Sequence, residues 1–476
     1  MNTLDDFLKK ANEKWHDREY LHQSGRVVTF GNFYDKVNYI ASYLLKEGFA
    51  NKKIGIFSPN SLEWMITDIA VMDYVGVSVG LSKDWKYDDL VYALKKCDIE
   101  CLFYSEIYTE FIEKAKVHFK GVTFICIEKD FDDCINEGKL YFNDISPLMT
   151  KSDEEPAKIV LTSGSTSFPK AVLLSIKNIF SGWQALGRRV HVDENDICYL
   201  FLPLSHTYGS IYNFIYSLVF GFEVYLAESI KTMAQEMSVI KPTLFSGVPI
   251  VFMKFCEASD QLSIPLKYLL GGRIRYLFCG GANLTEELRN RYIKEGLYLM
   301  NAYALSETAS AFSLDYPNDN NISSVGTLFE ELDAKVINAD KDGFGELAVK
   351  GDNVFLGYYN DEKATKAAFD SDGYFCTGDI GSIKDKHVYV KCRKDTMLVL
   401  PNGENVSSNA LSKKVKMTDE SIRSVKLYVR DDVLTADIYS SSQLDWDTLI
   451  EDFNLSLPKY QRIKKYNIID PSLLLK

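Results

Sequence analysis

The sequence predicts an α/β protein: a large N-terminal domain of two α/β layered subdomains plus a small β-rich subdomain, followed by a small α+β C-terminal domain. Two observations carry this. Short apolar runs, KIGIF at 53–57, VSVGL at 77–81, ECLFY at 100–104 and VTFICI at 122–127, alternate with amphipathic stretches such as SLEWMITDIAVMDYV and DDLVYALKKC. That alternation marks largely parallel strands covered by helices. From about residue 325 the texture changes to VGTLF, AKVIN, GELAVKG and KHVYVK, divided by Asp, Gly and Asn turns, as in a small β-rich unit.

The first α/β rhythm resumes after 157 with KIVLT, CYLFLP, FEVYLA, TLFSG and RYLFCGG, each followed by a helical stretch. At 476 residues the chain exceeds what one hydrophobic core supports. Strand-like sequence ends near Arg393, so the expected domains are 1–392 and 393–476. The second contains SVKLYVRDD, LTADIYSS and the helical DWDTLIEDFN. No fixed-period repeat or low-complexity tract interrupts the chain.

A formal charge of −12 argues against nucleic acid as a partner, because such binding draws on basic surface and counterion release. Any phosphate site must therefore be local. The opening MNTLDDFLKKANEKW has adjacent acids and no apolar core segment, so it reads as an amphipathic helix and not a signal peptide. No apolar run is long enough to span a bilayer. The nine cysteines are scattered and free of CxxC pairs, which fits reduced thiols and a cytoplasmic location. Cys97 and Cys101 share helical spacing but read as buried small side chains.

The sharpest local signal is LTSGSTSFPK at 161–170, a run of small hydroxyl residues after a strand, closed by Pro169 and Lys170. Such a loop can turn backbone N–H groups and hydroxyls toward phosphate oxygens while the lysine adds a point charge. It lacks the second glycine directly before lysine that a Walker loop requires. Taken alone, a Ser/Thr-rich loop is more often a plain turn.

The loop resembles the TSGTTGxPKG signature of the adenylate-forming superfamily of acyl-CoA synthetases, luciferases and peptide-synthetase adenylation domains. Further matches follow in family order: LPLSHTYG at 202–209, CGGA at 279–282, NAYALSET at 301–308, GYFCTGD at 373–379 and RKDTMLVLPNGENV at 393–406. The last two are most similar to the AMP-forming fatty acyl-CoA synthetase branch.

The resemblance implies ATP and Mg²⁺ as cofactors, a small-molecule carboxylic acid as substrate, and the thiol of coenzyme A or of a phosphopantetheinyl carrier protein as acceptor. In this chemistry a carboxylate attacks the α-phosphate and pyrophosphate leaves, so two anions must be brought in line and positive charge is needed. By position, Thr162, Ser163, Gly164, Ser165, Thr166 and Lys170 would hold the β- and γ-phosphates. Glu307, after the hydroxyl of Ser306, would ligate Mg²⁺, a hard cation that takes oxygen ligands, and Thr308 would reach the α-phosphate. Asp379 would accept hydrogen bonds from both ribose hydroxyls, with Arg393 as a second ribose or phosphate contact. Tyr303 would offer a flat face to adenine, and Gly281 with Ala282 would allow close backbone approach beside it.

His206 sits where family members with acyl or aryl substrates carry a histidine at the mouth of the acid pocket. SHTYGS lacks the Asp with which amino-acid-activating relatives pair an α-ammonium, so a fatty or aryl acid without an α-amine is expected. Tyr208, Tyr212, Phe214 and Phe245 are candidate walls for its pocket.

In the family the small C-terminal domain is mobile. It pivots at a residue matching Asp395, and Gly403 then enters the site for thioester formation. The family's terminal PKTxSGKIxR motif, whose lysine balances developing charge, has no match. The tail LPKYQRIKKYNIIDPSLLLK is similar to the stretch just upstream of it, so the domain is expected to be truncated. Lys464 and Lys476 are the nearest lysines. Ser167, Ala171, Ala304 and Cys392 stand where the family usually has glycine. The reading is thus an acid–thiol ligase whose isolated chain adenylates weakly or with a partner. Two alternatives stay open: a catalytically impaired nucleotide-binding member of the fold, and an amino-acid-adenylating domain.

Overall fold

The computed structural model describes residues 3–142, 151–162, 169–317, 319, 321–400, 405–430, 433–442 and 444–471. The chain divides into two compact units. One comprises Met1–Ala334, Val349–Phe375 and Lys384–Val388, and the other Lys335–Ala348, Cys376–Ile383 and Tyr389–Lys476.

In the larger unit, the early apolar runs form one sheet in the order Gly357–Tyr358, Lys170–Ser175, Pro156–Thr162, Val77–Gly80, Lys53–Phe57, Ile99–Tyr104 and Thr123–Cys126. From Pro156–Thr162 onward the pairings are parallel. Helices cover both faces of such a sheet, so consecutive side chains bury regardless of alternation. Ile54, Ile56 and Phe57 are all inaccessible to solvent. Helix Leu62–Ala70 starts at Ser61, whose hydroxyl accepts from Trp64 N at 3.1 Å, and continues as a π-helix over Val71–Val75. Gly76 closes it with an i→i+5 bond to Val71 O at 2.8 Å. A Cβ on Gly76 would lie 2.0 Å from Lys52 O, so only glycine fits there.

The later runs build a second sheet around the parallel strands Leu299–Tyr303, Tyr276–Cys279, Leu244–Gly247, Ile197–Leu200, Glu223–Leu226 and Glu19–Gln23. Ser313–Leu314 and Arg26–Thr29 add antiparallel neighbours at either side. The sequence thus correctly anticipates two α/β layers. Inside the first lies an ion pair it does not suggest. Lys158 Nζ donates to both oxygens of Asp68 at 2.6 and 2.7 Å, both residues fully buried, and Trp64 faces the ammonium at 4.9 Å.

The smaller unit contains the antiparallel strands Ile422–Arg430 and Val433–Ser440, with Lys465–Ile469 parallel to the latter. Helices Ser408–Lys416 and Trp446–Leu455 pack a core that includes Leu411, Val415, Ile438 and Phe453. Among the described residues, no helix is long and apolar enough to cross a membrane.

Candidate active site

Thr162 and Lys170 are the last paired residues of the hairpin formed by Pro156–Thr162 and Lys170–Ser175. They face each other across the mouth of the hydroxyl loop. Ser163, Gly164, Ser165, Thr166 and Ser167 lie outside the described residues. On the far side of Lys170–Ser175, the short strand Gly357–Tyr358 pairs antiparallel, with Tyr358 opposite Val172. This pairing sets the Tyr358 ring under Lys170 Nζ, 4.7 Å from the centroid.

Glu307 sits in a 3₁₀ turn, Ser306–Thr308, directly after strand Leu299–Tyr303. Its carbonyl accepts from Phe355 N at 2.9 Å, which ties the turn to the segment leading into Tyr358. The Tyr358 hydroxyl then donates to Glu307 Oε1 at 2.9 Å. A cation and an anion far apart in sequence are thus gathered around one phenol. Tyr358 was not singled out from the sequence.

Thr308 is fully buried, its hydroxyl donating to Leu305 O and accepting from Leu305 N, both at 3.0 Å. Next to it Ala309 takes φ 46°, ψ −56°, and Ser310 N bonds back to Thr308 O. This is a γ-turn centred on a non-glycine residue, a strained conformation of the kind that clusters at functional sites. Tyr303 packs edge-on against Phe312, ring centroids 4.5 Å apart. Gly281 has φ 75°, in the left-handed region that favours glycine, and Ala282 is exposed.

A cavity of about 380 Å³ opens among these groups. Gly280, Gly281, Ala304 and Ser306 line it together with His206, Tyr208 and Tyr212. Three of the sequence motifs therefore share one space. Tyr208–Ile215 is a π-helix, closed by Tyr216 N on Ile211 O at 2.9 Å; such windings are frequent at functional sites. Among the described lining residues none is Asp, Glu, Lys or Arg. Of the four candidate walls, Phe214 and Phe245 are core residues and do not line the cavity. They are fully buried in the surrounding cores, Phe214 against Phe33 and Phe245 against Phe252.

The parallel strands give the cavity its direction. Gly280 and Val248 follow the C-terminal ends of two of them, while Cys198, Leu244 and Phe222 lie at or beside their starts. Leu244 to Val248 is four strand steps, about 13 Å at about 3.3 Å each. His206 is exposed toward the mouth and enclosed by protein elsewhere. Desolvation pushes its imidazole below the ordinary histidine range, against a smaller upward pull from Asp84.

In the smaller unit, Asp379 lies buried on strand Phe375–Lys384. Arg393, on His387–Arg393, donates to Asp379 Oδ1 at 3.4 Å and to Thr377 O at 3.0 Å. Gly378 between them has φ 71°; a Cβ there would meet the Arg393 guanidinium at 3.0 Å. The side chain of Asp395 and all of Gly403 and Lys476 lie outside the described residues. Lys464 is exposed. Of the glycine replacements, Ala171, Ala304 and Cys392 all avoid positive φ, so none of the three introduces backbone strain.

The hairpin mouth at Thr162 and Lys170, the Glu307 carboxylate under the same Tyr358 and the adjoining cavity stand together within the larger unit. The chain belongs to the AMP-binding enzyme family, whose model matches residues 8–359. It is 24% identical to fatty acyl-CoA synthetase B of Dictyostelium discoideum, covering 90% of this chain and 75% of that protein. It is 23% identical to long-chain-fatty-acid–CoA ligase 5 of Rattus norvegicus, covering 81% and 67%. Among solved structures, O-succinylbenzoate coenzyme A synthetase (MenE) from Bacillus subtilis with AMP superposes with a TM-score of 0.81 at 20% identity, covering 98% and 94%. ATP-bound MatB from Rhodopseudomonas palustris gives 0.82 at 19% identity, covering 98% and 95%. These superpositions establish the adenylate-forming fold.

Proposed function

We propose that this chain is an AMP-forming acid–thiol ligase acting on a monocarboxylic acid with an apolar tail. The carboxylate oxygen attacks the α-phosphorus of ATP and pyrophosphate leaves. The sulfur of coenzyme A then attacks the acyl carbon and AMP departs. The observation that carries this reading is the cavity: residues of the CGGA, NAYALSET and SHTYG segments line one space, and none of the described lining residues carries a fixed charge.

Thr162 and Lys170, with the hydroxyl loop between them, are the groups we assign to the terminal phosphates. Asp379 and Arg393 are assigned to ribose, Tyr303 to adenine, and Thr308 to the α-phosphate. The last role needs the Thr308 hydroxyl to exchange Leu305 O for a phosphate oxygen. Glu307 fits a magnesium ion, because Tyr358 engages Oε1 and leaves Oε2 for a hard cation. When bound, that ion would neutralise phosphate charge. Tyr358 orients the carboxylate, and His206 faces the acid as a neutral imidazole.

The small unit around residues 393–476, pivoting at Asp395 with Gly403 entering for the thiol step, is part of the same proposal. The names of the relatives favour coenzyme A over a carrier protein as acceptor, and none of the described lining residues carries a carboxylate, which disfavours an amino acid. The test is hydroxylamine trapping of acyl-AMP across straight-chain, aryl, dicarboxylic and amino acids, followed by acyl-CoA formation. Hydroxamates from straight-chain monocarboxylic acids, converted to thioester on adding coenzyme A, are expected. Heat stabilisation by ATP with no hydroxamate from any acid would establish the catalytically impaired alternative instead.

A further inference from the structure

Away from the cavity, strand Glu19–Gln23 runs parallel to Glu223–Leu226, with His22 opposite Tyr225. Side chains alternate along a strand, so Glu223 and Tyr225 share the face that His22 joins. The His22 ring stacks on Tyr225 with centroids 3.8 Å apart and planes 4° from parallel. Glu19, three residues before His22, belongs by strict alternation to the opposite face. A β-bulge between Glu19 and Leu21, in the pairing with Arg26–Thr29, resets that alternation; bulges commonly re-aim a side chain in this way. Glu19 Oε2 thereby comes within 3.7 Å of His22 Nε2, and Glu223 Oε2 lies 3.3 Å from the same nitrogen.

His22 is 8% exposed, and its Nε2 makes no hydrogen bond although two carboxylates are in reach. The nitrogen therefore stands buried and without a hydrogen bond between two carboxylate oxygens 3.3 and 3.7 Å away. The three ligand atoms fall within 4.8 Å of one another. Atoms coordinating zinc at about 2.0–2.2 Å in a tetrahedron stand about 3.3–3.6 Å apart, close to the two nitrogen–oxygen separations here. Glu223 is also held from behind: Arg18 Nη2 lies 3.7 Å from Oε1, and the Tyr225 hydroxyl donates to Oε2 at 3.4 Å. Outer partners of this kind orient metal ligands.

We propose that Glu19, His22 and Glu223 bind a divalent transition-metal ion of the zinc class, clamping the N-terminal strand to Glu223–Leu226. The imidazole selects this class over magnesium or calcium, which take oxygen ligands. A protonated His22 paired with the two carboxylates would show the same contacts, so the test must separate a metal from a proton.

The full-length protein, free of nucleotide, is titrated with Co²⁺ and with Zn²⁺ by absorption and calorimetry. One equivalent of Co²⁺ should bind with visible ligand-field bands. No sulfur-to-cobalt charge-transfer band should appear, since none of the nine cysteines is a ligand. Glu19→Gln, an exposed change that leaves folding intact, should weaken binding at least tenfold, as should His22→Asn and Glu223→Gln. Arg18→Met should cost about tenfold. A thiolate band, no binding at millimolar metal, or affinity unchanged in Glu19→Gln and Glu223→Gln would overturn the site.

Discussion

The hydroxyl of Tyr358 donates to Glu307 Oε1 at 2.9 Å while the ammonium of Lys170 stands 4.7 Å over the same ring. One side chain thus touches both the cation and the carboxylate. Tyr358→Phe keeps the ring under Lys170 and removes only the hydrogen bond. Losing one hydrogen bond to a charged group costs about 1.5–3 kcal/mol, so adenylation should fall by about one to two orders of magnitude. The Mg²⁺ dependence should shift to higher concentration. Tyr358→Leu, which also removes the ring, should fall further and raise the KM for ATP.

The cavity's length is testable through chain-length preference. Phe222 and Cys198 sit near the starts of the parallel strands, opposite the end lined by Gly280 and Ser306. Phe222→Ala should move the best substrate to a longer acid and Cys198→Phe to a shorter one. Each methylene gained or lost in such a pocket is worth about 1–3 kcal/mol in kcat/KM. Parallel losses on all acids, with no change in ranking, would show that this end does not meet the tail.

His206 gives a pH dependence with a defined sign. Its imidazole is held below the ordinary range by desolvation, whereas in the unfolded chain it titrates near about 6.5. Between those two values the unfolded state binds more protons, so stability rises with pH through the window and is lost as pH falls through it. Melting temperatures measured from pH 8 downward should drop more steeply below about 6.5 in the parent than in His206→Asn. Equal slopes would contradict the desolvation of the neutral ring.

Lys158 and Asp68 form a fully buried pair, with Lys158 pushed below the ordinary lysine range by desolvation against the pull of Asp68. Breaking one partner leaves an uncompensated charge and should cost about 3–5 kcal/mol. Lys158→Met alone should therefore destabilise strongly, while Lys158→Met with Asp68→Leu should recover most of the loss. Denaturant unfolding of the two variants measures this.

The parallel layers were readable because runs such as KIGIF and VSVGL bury on both faces and leave no alternation to mistake. Tyr358 was not readable: its role depends on a two-residue strand that pairs with Val172 and Leu173, far away in sequence. The pairing of Lys158 with Asp68 was hidden for the same reason, since KIVLT reads as an ordinary strand. The π-winding of Tyr208–Ile215 carries no glycine or proline signal beyond Gly209. Phe214 could not be placed between cavity and core from sequence, because a helical apolar residue beside the cavity and one turned to the core look alike. The signature residues 163–167 fall outside the described residues, and their role rests on family membership.

The central claim is that the motifs around Lys170 and Glu307 serve acid activation. ATP–pyrophosphate exchange driven by a straight-chain acid tests it most directly. Exchange should require the acid and magnesium, and should fall at least a hundredfold in Lys170→Ala and in Glu307→Gln, with both variants still folded. Acid-dependent exchange at the parent rate in Glu307→Gln, or no exchange in the parent with any acid, would contradict it.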